Sequence, residues 1–372
     1  MGRIYLDNAA STKVKEEILT EFDNVARMFY GNPSSEHFEG HIAENNIECS
    51  QIIISKCLNC EPNEIYFTSG ATMSNNVAIQ GFMRRKELNA FLYSAVEHND
   101  IMLITNYLQG SVTDHYSIPV DKDGIIRMNV LKKNLDKLKS FGFSTLVSIQ
   151  MANSETGIIQ PIKEISELVH QYDNFYLHTD ATQYLPYYSI DVKEMGIDML
   201  SMSGQKIGGI KGSGLLYVRD GIDLVPIIFG EQGLIGGTQS APMIASLSKA
   251  FELLDYNNTE LAHKRDVLWN GLESLGAVLV GTMENRLPNN IYCRFAGVNG
   301  LTLVHLLNEY GISIGTGSAC STDSDKPSHV ALAYGLTESE AMECVRFTLS
   351  DEITYEDIEY VIKTIKNVLF LL

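Results

Sequence analysis

Lys206 stands in the run Met199-Leu-Ser-Met-Ser-Gly-Gln-Lys-Ile-Gly-Gly-Ile-Lys-Gly-Ser-Gly-Leu-Leu-Tyr-Val218, a lysine in a Ser/Gly-rich loop between two apolar stretches. A solvated surface charge does not need that setting. An amine that forms a Schiff base with an aldehyde cofactor does, because partial burial makes an ammonium lose its proton more readily. Asp180 closes an apolar stretch, Asn174-Phe-Tyr-Leu-His-Thr-Asp180. A carboxylate so placed needs a cationic or hydrogen-bonding partner: a protonated pyridine nitrogen is one reading, the N-cap of the next helix the other. His98 follows a further apolar stretch, where stacking or proton transfer competes with the role of a satisfied core histidine. Ser69-Gly70-Ala71-Thr72 precedes a helical stretch over 73–85 and offers free amides to a phosphate, or simply an N-cap. Cys320, in Gly315-Thr-Gly-Ser-Ala-Cys-Ser-Thr-Asp-Ser-Asp325, is a thiol among small polar residues, reactive if a cation or helix end lowers its pKa. Arg346, in Glu343-Cys-Val-Arg-Phe-Thr-Leu349, can clamp a carboxylate through two parallel hydrogen bonds or serve as a surface salt bridge.

The elements that must position these groups follow from periodicity. Strands are expected at 64–68, 91–96, 145–151, 175–179, 199–202 and 215–218, with amphipathic helical stretches such as 162–172 between several of them. That alternation predicts an α/β fold with a mostly parallel sheet covered by helices. Five of the strands end in polar clusters: Ser69 to Thr72, Glu97 to Asp100, Asn153 to Gly157, Asp180 to Gln183 and Ser203 to Lys206. Open α/β sheets bind ligands at the carboxyl ends of their strands, so five such clusters point to one site. From about residue 248 the pattern changes to a long helix, a few strands and a terminal helix near 355–372. The expected division is a large domain over 15–250 and a smaller α+β domain formed by 1–14 and 251–372, which carries Cys320.

Bulk properties narrow the class. With 372 residues, 45% apolar and 20% charged, the composition is that of an ordinary folded protein of about two domains. A net charge of -18 argues against nucleic-acid binding as the main activity, since phosphate contacts need a surplus of Lys and Arg. The six cysteines are too few and scattered for a disulfide framework. Cys49, Cys293 and Cys344 read as packed thiols, and Cys57-Leu-Asn-Cys60 has CxxC spacing without the second pair a metal site needs. No metal is expected. No signal-like segment or membrane-length apolar run is found, and Gly2 lacks the Ser or Thr at position 6 that myristoylation needs. A reducing, cytoplasmic setting without membrane or nucleic-acid partners is expected.

Together these residues resemble the cysteine desulfurases, pyridoxal-phosphate enzymes of the class V aminotransferase group with the fold type I architecture. The likeness runs nearly end to end. It is carried by Tyr5-Leu-Asp-Asn-Ala-Ala10, Gly31-Asn-Pro-Ser-Ser-Glu-His37, Thr68-Ser-Gly-Ala-Thr72, Val96-Glu-His98, Glu155-Thr-Gly157 with Gln160-Pro161, and His178-Thr-Asp-Ala-Thr-Gln183. It continues through Ser203 to Lys206, Gly237-Thr238, Ser318-Ala-Cys320 and Val345-Arg346. The resemblance implies a seven-stranded sheet, with Lys206 carrying pyridoxal 5'-phosphate and Asp180 holding its ring nitrogen protonated. Gln183 would bond the ring hydroxyl, a site shared by Ser154, and His98 would stack on the ring. Thr72 and Ser203 would hold the phosphate, with Thr238 reaching in from a second subunit of a homodimer, and Ala71 and Gln205 would also contact the cofactor. Arg346, helped by Asn32 and Asn153, would bind the carboxylate of L-cysteine. Cys320 would take the sulfur as a persulfide, leaving L-alanine, and pass it to an acceptor such as an iron–sulfur scaffold or a tRNA-thiolation protein.

The chain departs from the family pattern at four places. Gln205 stands where a His usually precedes the lysine, Ser154 replaces the second Asn of Asn-Asn-Glu, Met73 replaces a common Glu, and Ile235 replaces an Arg before Gly-Thr. Gln205 and Ser154 still offer hydrogen bonds, but Ile235 cannot replace a charge, so looser cofactor binding is expected. The rival readings are a selenocysteine lyase or other class V enzyme, and a degenerate sulfur-transfer partner protein.

Overall fold

Two ranks of helices enclose a seven-stranded sheet, and the computed structural model describes residues 2–86, 89–108, 114–230, 233–317 and 326–372. The chain opens with β1 (Ile4–Tyr5), α1 (Glu16–Met28) and α2 (Phe38–Leu58). The sheet strands are β2 (Ile65–Thr68), β3 (Asn89–Ser94), β4 (Asp114–Ile118), β5 (Ser144–Ser148), β6 (Phe175–Asp180), β7 (Met199–Ser203) and β8 (Gly214–Val218). Between them lie α3 (Ala71–Met83), α4 (Asn99–Leu108), α5 (Met128–Ser140) and α6 (Ile162–Val169). The order is β2-β8-β7-β6-β5-β3-β4, and only β8 runs against its neighbours. The carboxyl ends of β2, β3, β5, β6 and β7 therefore share one edge.

Strands covered on both faces are mostly apolar or small, and β3, β5, β7 and β8 are buried along their whole length. One face packs Leu92, Val147, Leu177, Leu200 and Leu215 into the largest core. The other packs Phe91, Leu146, Met199 and Leu216 against Val77 and Phe82 of α3 and Ile101 and Ile104 of α4. Edge strand β4 was not expected. Its residues, Asp-His-Tyr-Ser-Ile, are mostly polar and only Ile118 is buried, and it forms by parallel pairing to β3. Helix α6 ends at Val169 rather than 172, because Gln171 and Tyr172 bond three residues back in tighter turns. The strand expected at 91–96 lies two residues earlier.

The remainder comprises α7 (Ala241–Glu252), α8 (Thr259–Ser274), β9 (Ala277–Leu279), β10 (Asn290–Phe295), α9 (Gly300–Glu309), β11 (Ile312–Ser313), α10 (His329–Ala333), α11 (Glu338–Met342), β12 (Cys344–Thr348) and α12 (Tyr355–Leu371). Strands β12-β10-β9 form an antiparallel sheet, and β1 pairs with β11. A separate core joins Ile4 and Leu6 to Leu268, Ile291, Phe347 and Val361. The N-terminal segment bridges the two cores: Asn8 Nδ2 donates to Thr348 O at 2.8 Å, and Thr12 N donates to Gln205 O at 3.0 Å. Among the described residues, no helix is long and apolar enough to cross a membrane.

Candidate active site

At the shared strand edge lies a cavity of about 190 Å³, bounded by Ala9, Ser69 to Met73, His98, Asp100, Gln150, Ala152, Ser154, Asp180, Thr182, Gln183, Ser203, Gln205, Lys206 and Arg346. Lys206 ends a single helical turn after β7, fixed by Gly204 N to Ser213 O at 2.9 Å and by the Gln205 carbonyl, which accepts from Thr12. Its Nζ donates to Ala9 O at 2.7 Å and Ala10 O at 2.5 Å. The amine is thus held by two carbonyls, with no carboxylate among these acceptors.

Asp180 ends β6 and is buried. Its Oδ1 accepts from Thr182 N at 2.9 Å, and its Oδ2 from Asn75 Nδ2 at 3.0 Å. Both sequence readings hold in part: the carboxylate caps the turn that follows and also borders the cavity. Burial raises its pKa above the ordinary carboxylate range, the nearby Asp100 adds to the rise, and the hydrogen bonds from Thr182 and Asn75 oppose it. A cationic partner in the cavity would restore the charged form.

His98 precedes α4 and is one-third exposed, not a core residue. Its Nδ1 lies 2.9 Å from Asp100 Oδ1. Burial acts to raise the Asp100 carboxyl, yet hydrogen bonds from His98, Thr72 and Asn75 outweigh it and hold the carboxyl below its usual range.

The N-terminus of α3 opens into the same cavity. Gly70 is its N-cap, at φ 142°, and no side chain caps the first turn. A helix start without a cap leaves N–H groups unsatisfied and the positive end of the helix dipole exposed. A Cβ at Gly70 would meet Ser203 Oγ at 3.2 Å, so glycine keeps room between the helix and that hydroxyl. Ala71 and Thr72 stand at the first turn, and Met73 Sδ accepts at 3.4 Å from both Ser69 N and Ser69 Oγ. The donor set of amides and hydroxyls suits a phosphate, the lysine an aldehyde and Asp180 a ring nitrogen, so the residues fit a phosphorylated pyridine aldehyde.

Arg346 on β12 is 2% exposed, not a surface residue. Its Nη2 pairs with Asp7 Oδ1 at 2.7 Å and its Nη1 donates to Ser154 O at 2.9 Å, while the buried Nε has no partner. An unused buried guanidinium N–H beside a cavity is a place for an anionic ligand. A second chamber, also about 190 Å³, shares His98, Ser154 and Arg346 with the first and is bounded further by Glu97, Asn99, Glu155, Gly317 and Lys326 to Val330. Glu155 accepts from Ser328 Oγ at 2.6 Å, and its burial pushes the carboxyl up to about 7. Cys320 lies outside the described residues. Gly317 and Lys326, on either side of that stretch, both border the second chamber.

Lys206, Asp180, Gln183, His98, Ala71, Thr72, Ser154, Ser203, Gln205 and Arg346 therefore meet at one place, while three expected residues do not. Asn153 is buried away from both chambers: its Nδ2 donates to Val96 O at 2.8 Å and its Oδ1 accepts from Glu155 N at 2.9 Å and Thr156 N at 2.8 Å. It shapes the Glu155-Thr-Gly157 turn instead of facing a substrate. Asn32 is exposed, its Oδ1 taken by Ser34 N at 3.0 Å. Thr238 is exposed and borders neither chamber of its own chain. Ile235 packs against the α3 face of the sheet rather than the cavity.

Cys49 is exposed rather than packed, because it falls on the outer side of α2, whereas Cys293 and Cys344 are buried as expected. Cys57 and Cys60 flank the C-terminal end of α2, where the helix dipole disfavours a thiolate, and burial raises Cys60 to about 12. No metal-binding cluster exists among the described residues. Sequence reasoning assigned no role to Asp7, Asn75 or Asp100. Asp7 sits within the N-terminal motif, but its partner Arg346 comes from distant β12; Asp100 lies two residues beyond His98, and Asn75 reaches it from α3.

Comparison with known proteins agrees with this geometry. Residues 4–361 match the sequence profile of the family "Aminotransferase class-V". The chain is 36% identical over 380 residues to the "Cysteine desulfurase IscS" of Clostridium botulinum, covering 99% of this chain and 94% of that protein. A solved "NifS-like protein" superposes with a TM-score of 0.90 at 31% identity, covering 100% of both chains. A structure described as "SspA in complex with cysteine" gives a TM-score of 0.82 at 32% identity, over 93% of this chain and 98% of that one.

Proposed function

The chain belongs to the class V aminotransferase family, and from that premise we propose how it acts as a cysteine desulfurase. Pyridoxal 5'-phosphate, the cofactor this family's fold implies, supplies an electron sink for the substrate Cα when bound. Lys206 is the residue that would carry it, with Asp180 toward the ring nitrogen, Gln183 and Ser154 toward the ring hydroxyl and His98 against the ring. Thr72 and Ser203 would hold the phosphate, joined by Thr238 from a second copy of the chain, and Ala71 and Gln205 would also contact the cofactor. With Ile235 in place of an arginine, and Met73 beside the helix start, we expect weaker retention of the cofactor than cationic contacts would give.

Arg346 binds the carboxylate of L-cysteine; the cysteine-bound SspA structure supports that substrate class. Lys206 Nζ takes the Cα proton, and the Cys320 thiolate attacks the substrate sulfur. The new S–S bond forms as the Cβ–S bond breaks, and a proton delivered with the help of His98 completes L-alanine. Cys320 is left as a persulfide for a sulfur-acceptor protein, either an iron–sulfur scaffold or a tRNA-thiolation protein, and a reducing cytoplasmic setting suits a free thiol of this kind. We take 15–250 as the cofactor domain and 1–14 with 251–372 as the smaller domain.

One observation carries the reading: Lys206, Asp180, His98 and Arg346, from four separate elements, line a single cavity at the uncapped start of α3. The test is alanine formation from L-cysteine with pyridoxal phosphate and a reductant, for the wild type and Cys320→Ala side by side. Alanine from the wild type alone is expected. Persulfide formation by the variant would remove Cys320 from the mechanism.

A further inference from the structure

His98 and Asp100 form a pair of which the reaction outlined above uses only the imidazole. Asp100 is buried, lies on the first turn of α4, and borders the cofactor cavity together with the ring it contacts at 2.9 Å. The Asp100 amide N–H also points at the same Nδ1, at 3.4 Å, a long contact that needs Nδ1 as an acceptor; the carboxylate contact at 2.9 Å is much the shorter and decides between the two forms. Two acceptors would repel at 2.9 Å, so the contact with a carboxylate is attractive only when Nδ1 carries a proton. Asp100 is itself held in place: Asn75 Nδ2 lies 3.3 Å from its Oδ2 and 3.0 Å from Asp180 Oδ2, so one buried amide braces both carboxylates.

We propose that Asp100 is a positioning residue for the desulfurase reaction, fixing His98 in the Nδ1–H form and holding its charge so that Nε2 is the nitrogen that hands a proton into the cavity. This rests on the cysteine desulfurase reading. The simpler role for an acid at this position is to cap α4, and Oδ1 does accept from Ile101 N at 2.7 Å. Capping alone does not account for the imidazole contact, which lies on the cavity side.

The electrostatic surroundings of His98 are mixed. On its own segment it meets Glu97 and Asp100; from β6 comes Asp180, and from the turn after β5 comes Glu155. His329 of α10 opposes a charge on His98, while Arg346, Lys206 and Lys326 border the chambers it lines. Arg346 is already paired with Asp7, and Glu97 is pushed by burial toward its neutral form, which leaves Asp100 as the anion in contact with the ring. A hydrogen-bonded anion favours the protonated imidazole.

The test is Asp100→Asn, which keeps an oxygen for Nδ1–H and for the Ile101 amide but removes the charge. Asp100→Ser, a good helix cap, is the second variant and is judged in the same way if Asp100→Asn does not fold. In ¹⁵N-histidine-labelled protein without cofactor, the His98 ring signal, identified by His98→Asn, is expected to titrate at lower pH than in the wild type. In the loaded enzyme the alkaline limb of the kcat profile for alanine formation should move to lower pH. At pH 8 kcat should fall on the order of tenfold or more, with KM for cysteine little changed. An unmoved His98 titration, or a lowered kcat with an unmoved pH profile, would overturn the proposal and leave Asp100 as a helix cap. If the wild type makes no alanine, the desulfurase reading fails on its own, and the ring titration still decides whether Asp100 governs His98.

Discussion

Asp180 and Asp198 stand at opposite ends of the same sheet. Both are buried, and both gather polar partners, yet only one borders a cavity. Asp198, just before β7, is closed off: Oδ1 meets Arg219 Nε at 2.8 Å, and Oδ2 meets His170 Nε2 at 2.9 Å and Leu177 N at 2.6 Å. Ser166 Oγ lies 3.2 Å from His170 Nδ1, completing a serine–histidine–aspartate series, but the serine's one proton goes to Gly196 O at 2.7 Å. Asp180 is braced by an amide and a backbone N–H, with no cation among those partners, and it faces open space. Burial of a charge alone thus marks nothing. A buried carboxylate left short of a cation beside a cavity is what points to a ligand.

The sharpest way to break this contrast is Asp180→Asn. Removing the charge should lower alanine formation by about a hundredfold or more, the scale of losing a key transition-state interaction, while the denaturant midpoint moves little. Equal losses of stability and activity would make Asp180 another Asp198. The converse substitution, Asp198→Asn, should cost about 2 kcal/mol of stability, read from urea unfolding, and leave kcat near the wild-type value.

A third test uses protons. His178, buried between Ser148 Oγ at 2.8 Å and Ser201 Oγ at 2.9 Å, has its pKa pushed down by burial to about 4. The unfolded chain, with a histidine near its ordinary value, then binds more protons between roughly pH 6.5 and 4. Stability should be fully present above that window and decline as the pH falls through it, and His178→Asn should flatten the slope. The smallest effect is expected at the CxxC pair. Cys57→Ser with Cys60→Ser should leave alanine formation within about twofold, since neither thiol borders either chamber.

Much of the site was legible because its residues follow apolar strands directly. Asp180, His98, Ser203 and Lys206 each end or follow a run that must be buried, and a polar group there is costly unless it has something to bind. Legibility failed where a residue's partner is distant in sequence. Asn153 reads like a substrate contact from its position after β5, but its amide donates to the Val96 carbonyl and its oxygen accepts three bonds from Glu155 and Thr156. Arg346 is as consistent with a surface ion pair as with a clamp until β12 places it against Asp7, 339 residues away. Edge strand β4 was not legible because only its last residue, Ile118, is buried, so neither of its faces carries an apolar pattern.

The sequence by itself determined the sheet's buried strands, the clustering of polar groups at their carboxyl ends and the lysine, aspartate and histidine there, because hydrophobic periodicity and strand direction are local properties. Only the tertiary structure decided which of those groups share a cavity. It also decided that Asp7 pairs Arg346 and that Asn75 braces two carboxylates. Those contacts join residues from different strands and helices, and their geometry exists only once the two cores have packed against the N-terminal segment between them.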